Sequence, residues 1–130
     1  MELEKAISMI QKVNDKNLHL NIYNPNQVEI AQLFNVSEFN SWNTGVSFPN
    51  DFGAVVSLNF VDDKSDDPTI RNFKKSPFYS HFHKANENFG CTYFTLISEQ
   101  NSKDAFIKLN AILHSVYGVS KGVRYELNSY

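Results

Sequence analysis

The sequence predicts an α+β domain, a mixed sheet of about five strands with helices packed on it. Three observations carry this prediction. Apolar residues recur with helical spacing near both ends of the chain, at 3–13 and after Ser102. Runs of β-forming residues, alternating or unbroken, occur at 18–22, 54–62, 91–97 and 123–127. Caps and turn formers, among them Asn24-Pro25, Pro49-Asn50-Asp51, Ser76-Pro77, Gly90 and Gly118, separate these runs.

Taken in order, Leu3, Ile7, Ile10 and Val13 share a helix face with Ala6, and Asn14-Asp15 ends it. Leu18, Leu20 and Ile22 alternate with Asn17, His19 and Asn21 as a half-buried strand. Asn24, Pro25 and Gln27 match an N-cap, a first-turn proline and a capping-box position, so a second helix with Val28, Ala31, Leu33 and Phe34 buried is expected. Residues 36–44 are ambiguous, with Ser37-Glu38 able to cap a short helix carrying Phe39 and Trp42. Thr44–Phe48 and Ala54–Asp62 read as a hairpin around Pro49–Gly53. In the second of these, Ala54, Val56, Leu58 and Phe60 share one sheet face, and Val55, Ser57, Asn59 and Val61 the other.

Pro68 can open a short helical turn reaching Phe73. Phe78, Phe82, Ala85 and Phe89 space as one face of a helix that Gly90 stops. Cys91–Ile97 reads as a central strand. Ser102 caps a last helix with the stripe Phe106, Leu109, Leu113 and Val116, ended by Gly118. Val123, Tyr125 and Leu127 close the chain as a strand. The order is α-β-α-β-β-α-β-α-β, and 91–127 has the form of a β-α-β unit with a parallel, right-handed crossover.

The 130 residues suit one domain, 1–130, and the balance of 42% hydrophobic to 20% charged residues is that of a globular chain. Aromatics reach 14%, mostly through 11 Phe, so rings supply much of the core. A net charge of −2 gives no general attraction to nucleic acid or anionic membranes. Cys91 is the only cysteine, which excludes an internal disulfide and a cysteine-rich zinc site. The charged start and the lack of a long apolar run predict a cytoplasmic protein without a membrane span.

Few patterns carry chemistry. The loop Asp62, Asp63, Lys64, Ser65, Asp66, Asp67 lacks the glycine and terminal glutamate of an EF-hand and reads as a solvated loop or a docking patch for a basic protein. His81 and His83 fall on different faces of the expected helix, where zinc pairs need i, i+4 spacing. Cys91 opens an apolar strand and reads as a small buried hydrophobe. Gly45-Val46-Ser47-Phe48-Pro49 begins like a nucleophile elbow, but Pro49 stands where its second glycine belongs. Residues 71–84 mix Arg71, Lys74 and Lys75 with Phe73, Phe78 and Tyr79, a weak footprint for single-stranded nucleic acid.

The expected function is therefore a non-enzymatic protein-binding domain without cofactor or metal. It is similar in outline to small bacterial immunity proteins and antitoxins, which mask the active surface of a partner toxin. No motif matches a specific family. The expected contacts with a basic protein partner are Asp62, Asp63, Asp66, Asp67, Trp42 and Tyr79. A second reading is a small enzyme or ligand-binding domain with a pocket at the strand carboxyl ends, with Asp62, Glu99 and a histidine as its candidates. A third is a nucleic-acid surface over 71–84.

Overall fold

The computed structural model describes residues 2–12, 17–64, 67–119 and 123–129. Its class is α+β, as the sequence predicts. Helix α1 (Leu3–Gln11) is followed by strands β1 (Leu18–Tyr23) and β2 (Glu29–Asn35), then by the short helix α2 (Val36–Asn40) and by β3 (Ala54–Phe60). Helix α3 (Pro68–Lys75), the two-residue strand β4 (His83–Lys84), β5 (Cys91–Ile97), helix α4 (Ser102–Tyr117) and β6 (Arg124–Ser129) complete the order. Residues 13–15, the expected end of the first helix, lie outside the described residues. Among the described residues the strands form one six-stranded sheet ordered β4-β5-β3-β2-β1-β6. Every neighbouring pair is antiparallel.

One face of the sheet carries the helices. Leu20, Ile22, Leu33, Val56 and Leu58 pack there against Ile7 and Ile10 of α1, Ile70 and Phe73 of α3, and Leu109, Ile112 and Leu113 of α4. Period-2 alternation on the strands and period-3.6 spacing on the helices place these residues in one layer. Gln11 and Asn35 lock the layers at one end. Gln11 donates to the carbonyls of Ile97 and Glu99. Asn35, fully buried, donates to the carbonyls of Ile10 and Lys12, and its Oδ1 accepts the amides of Ser37 and Glu38. One side chain thus satisfies the end of α1 and the start of α2 together.

Several local expectations change. Residues 29–35 form strand β2 in place of a helix: Asn24 Oδ1 accepts the amides of Asn26 and Val28, and Gln27 has φ +67, so Asn24–Val28 is the turn of a β1–β2 hairpin. Asparagine followed by proline serves a turn as well as a helix start. Because β2 is buried on both faces, its apolar residues lack alternation. Thr44–Phe48 forms no strand, since β3 already pairs with β2 on one side and β5 on the other. Gly53, at φ +140, is required where the chain enters β3: a Cβ there would lie 2.8 Å from Leu96 Cδ1 and 2.9 Å from the Ile97 carbonyl oxygen.

Residues 78–89 are not one helix but two 3₁₀ turns, Tyr79–His81 and Glu87–Phe89, flanking β4. Strands β5 and β6 do run in the same direction, but β3, β2 and β1 lie between them, so α4 crosses the whole sheet and no parallel ladder forms. Helices α2 and α4 are capped by Asn35 and Asn101, each one or two residues before the serine expected. The remaining strands keep their predicted faces, and Gly118 ends α4 in the left-handed conformation. No helix among the described residues is long and apolar enough to cross a membrane.

Candidate functional site

The face of the sheet opposite the helices is only half covered. Phe34, Val55, Phe94 and Ala85 form a second small core there, with Val36 and Phe39 of α2 laid over it. Phe39 is fully buried, edge-on to Phe94 at 4.6 Å and near Trp42 at 5.9 Å. The segment that follows α2 is fastened at both ends. Asn40 exchanges two hydrogen bonds with the backbone of Phe48, and the Thr44 carbonyl accepts the amide of Asn86. These fastenings hold Trp42 edge-on against Phe34, with ring centroids 4.7 Å apart.

Beyond this cover the sheet turns polar. The register puts Asn21, Gln32 and Ser57 in one row and Asn59 beside Thr92 in the next. Between cover and polar rows lies a cleft of about 250 Å³. Phe34, Phe94 and Ser57 lie in its floor, Trp42 and Phe89 form walls, and Gln32, Asn59, Thr44 and Thr92 supply amides and hydroxyls. Phe89 projects from the 3₁₀ turn, whose carbonyl accepts the Thr92 hydroxyl at 2.7 Å, and remains 38% exposed. Ser57 is buried in the floor. The lining is aromatic and polar but carries no ionisable side chain. Such a cleft can hold an apolar or aromatic group and read hydrogen-bond partners around it.

The acidic loop has a different structure. Asp63 lies at the helix-covered side of β5, where its carboxylate accepts the Tyr93 hydroxyl at 2.8 Å and pairs with Lys74 at 3.3 Å and Lys84 at 3.2 Å. The Tyr93 hydrogen bond, helped by the two ammonium groups, holds the Asp63 carboxyl below the usual carboxylate range. Burial, then the Asp63 partner, pushes the Tyr93 hydroxyl well above its usual value. Asp67 caps α3 by accepting the Thr69 amide and hydroxyl. Asp62 accepts the amide of Lys64 in a turn. Asp66 lies outside the described residues.

Two of the expected contact residues, Asp63 and Asp67, thus hold internal structure together, and the set does not form one patch. Tyr79, 37% exposed, leans on Phe73 and Tyr93 at the helix-covered side. Trp42 lies on the opposite face of the sheet. The acids expected at a strand-end pocket are also apart. Asp62 follows β3 and Glu99 follows β5, and because those strands are antiparallel the two stand at opposite ends of the sheet. In 71–84, Phe73 and Phe82 are buried core residues, while Lys74 and Lys84 both pair with Asp63. His81 lies in a 3₁₀ turn and His83 on β4, its ring 5.8 Å from Phe48. Cys91 is half-buried with its thiol 4.0 Å from Asp63; burial, then that carboxylate, raises its pKa and works against a thiolate.

The sequence pattern points to Trp42 but not to Phe89 or Ser57, because helical spacing puts Phe89 in a core stripe and Ser57 sits on a plain strand face. The signal that marks the cleft is the face Val55, Ser57, Asn59, Val61, which turns polar halfway along an otherwise apolar strand. The fold and cleft define a class, an α+β domain with one helix-packed and one partly open sheet face. Compared with known protein families, curated proteins and solved structures, the chain matches none.

Proposed function

We propose that this chain is a non-enzymatic protein-binding domain whose partner docks on the open half of the sheet, inserting an apolar side chain between Trp42 and Phe89. The observation that carries the reading is the neutral, aromatic-walled cleft, whose Trp42 wall is carried by α2 and its fastened loop. Aromatic walls over a largely aromatic floor, with amides and hydroxyls around it, suit an anchoring apolar residue of a partner. The finer form of the reading is an immunity protein or antitoxin, which silences a toxin by covering its active surface. The net charge of −2 permits a basic partner for this role.

The test is co-expression with the product of the adjacent reading frame, followed by size-exclusion chromatography with mass determination. A stoichiometric complex that Phe89→Ala weakens and Asp62→Lys does not supports the reading. Two separate peaks remove the masking model, and a complex that Asp62→Lys disrupts while Phe89→Ala leaves it intact returns the contact surface to the acidic loop.

A further inference from the structure

The two edges of the sheet are built differently. Strand β4 has two exposed residues, one of them Lys84, and such short, charged edges resist pairing with another chain. Strand β6 has six residues, Arg-Tyr-Glu-Leu-Asn-Ser, without glycine, proline or lysine. Among the described residues its inner side pairs with β1 along its full length and no strand pairs with its outer side. It offers a row of backbone donors and acceptors to a further strand.

From this we infer that the outer edge of β6 pairs, antiparallel, with β6 of a second copy, about a two-fold axis at Tyr125. Opposed residues in an antiparallel pair point to the same face, so a symmetric register must centre on a residue rather than between two. Centring on Arg124 or Glu126 opposes two like charges, and centring on Leu127, Asn128 or Ser129 leaves Arg124 and Glu126 with no opposite charge across the seam. Centring on Tyr125 sets Arg124 opposite the partner's Glu126, and Glu126 opposite the partner's Arg124. Arg124 and Glu126 already pair within the strand at 3.0 Å, on side chains about half exposed, so the seam would carry four charges of alternating sign. On the helix side, Val123 meets the partner's Leu127, and both are partly buried apolar residues that the seam would cover further. The strand is thus self-complementary in charge and in apolar surface, which is what a two-fold interface requires.

Sedimentation velocity across a concentration series tests this. The wild-type chain is expected to show a monomer–dimer equilibrium. Glu126→Arg, which opposes like charges across the seam, should weaken the dimer by about tenfold. The double exchange R124E/E126R should restore it, and thermal melts check that both variants are folded. Hydrogen exchange should show β6 amides gaining protection with concentration while β4 amides do not. A chain that stays monomeric up to about 1 mM, a dimer indifferent to both variants, or protection gained at the Trp42–Phe89 cleft instead of β6 would overturn the inference.

Discussion

The Tyr93 hydroxyl donates to the Asp63 carboxylate across 2.8 Å, joining the loop after β3 to the strand beside it. The bond accounts for opposite shifts in its two partners. It favours the ionised carboxylate of Asp63 and the protonated hydroxyl of Tyr93.

Tyr93→Phe is expected to lower stability by about 1 kcal/mol, a modest value because Asp63 is half exposed. Asp63 has a folded pKa below its ordinary 3.8, so its contribution is complete above that value and fades as pH falls through the depressed one. Urea unfolding of wild type and Tyr93→Phe at several pH values should therefore show a gap that is full near neutrality and closes in acid. A gap independent of pH would remove the assigned role of Asp63.

Tyr117 is largely buried at the end of α4, and its hydroxyl finds no hydrogen-bond partner among the described residues. Burial pushes its pKa well above the usual tyrosine value. Tyr117→Phe removes an unsatisfied polar atom and should leave stability equal or raise it by about 1 kcal/mol. Tyr93 and Tyr117 hold their protons more tightly folded than unfolded, so their contribution to stability is complete below about pH 10 and is lost as pH rises above it. Absorbance titration of wild type against Tyr93→Phe and Tyr117→Phe should show these two hydroxyls ionising only with unfolding.

Asn35 makes hydrogen bonds to the backbones of both α1 and α2 from a fully buried position. Asn35→Ala should cost about 2–4 kcal/mol by leaving buried groups unpaired. Asn35→Asp keeps the cap acceptor but sets a carboxylate against the Ile10 and Lys12 carbonyls. It should be strongly destabilised at neutral pH and partly recover in acid, where a protonated carboxyl can donate. Chemical denaturation at two pH values distinguishes the variants.

Gly53→Ala should destabilise by about 2–3 kcal/mol, since its φ of +140 and its closeness to the Ile97 carbonyl leave no room for a Cβ. The corresponding change at Gly118, where nothing lies within 4 Å, meets only the backbone cost of φ +69 and should cost less. Equal thermal shifts for the two would show that the close approach to β5 is not what Gly53 serves.

Sequence alone determined the α+β class, the strands with clear alternation or strong β-forming runs, and the long helices. In those elements the apolar period matches one buried face: Leu20 and Ile22 in β1, Val56 and Leu58 in β3, Leu109 and Leu113 in α4. Tertiary structure decided the rest wherever one local signal served two conformations. Asn24-Pro25 suits a helix cap or a hairpin turn, and only pairing with β1 makes 29–35 a strand. Phe78, Phe82 and Phe89 have helical spacing, yet Phe82 packs on Phe73 at the helix layer while Phe89 walls the cleft on the opposite face. Asp63 reads as solvent-facing charge in the sequence because its partners Tyr93 and Lys84 are supplied by folding, whereas the Asp67 cap on Thr69 spans only two residues and is local. Propensity and spacing act over a few residues. Which strand edge is vacant, which face stays uncovered and which acid finds a cation depend on contacts between residues tens of positions apart.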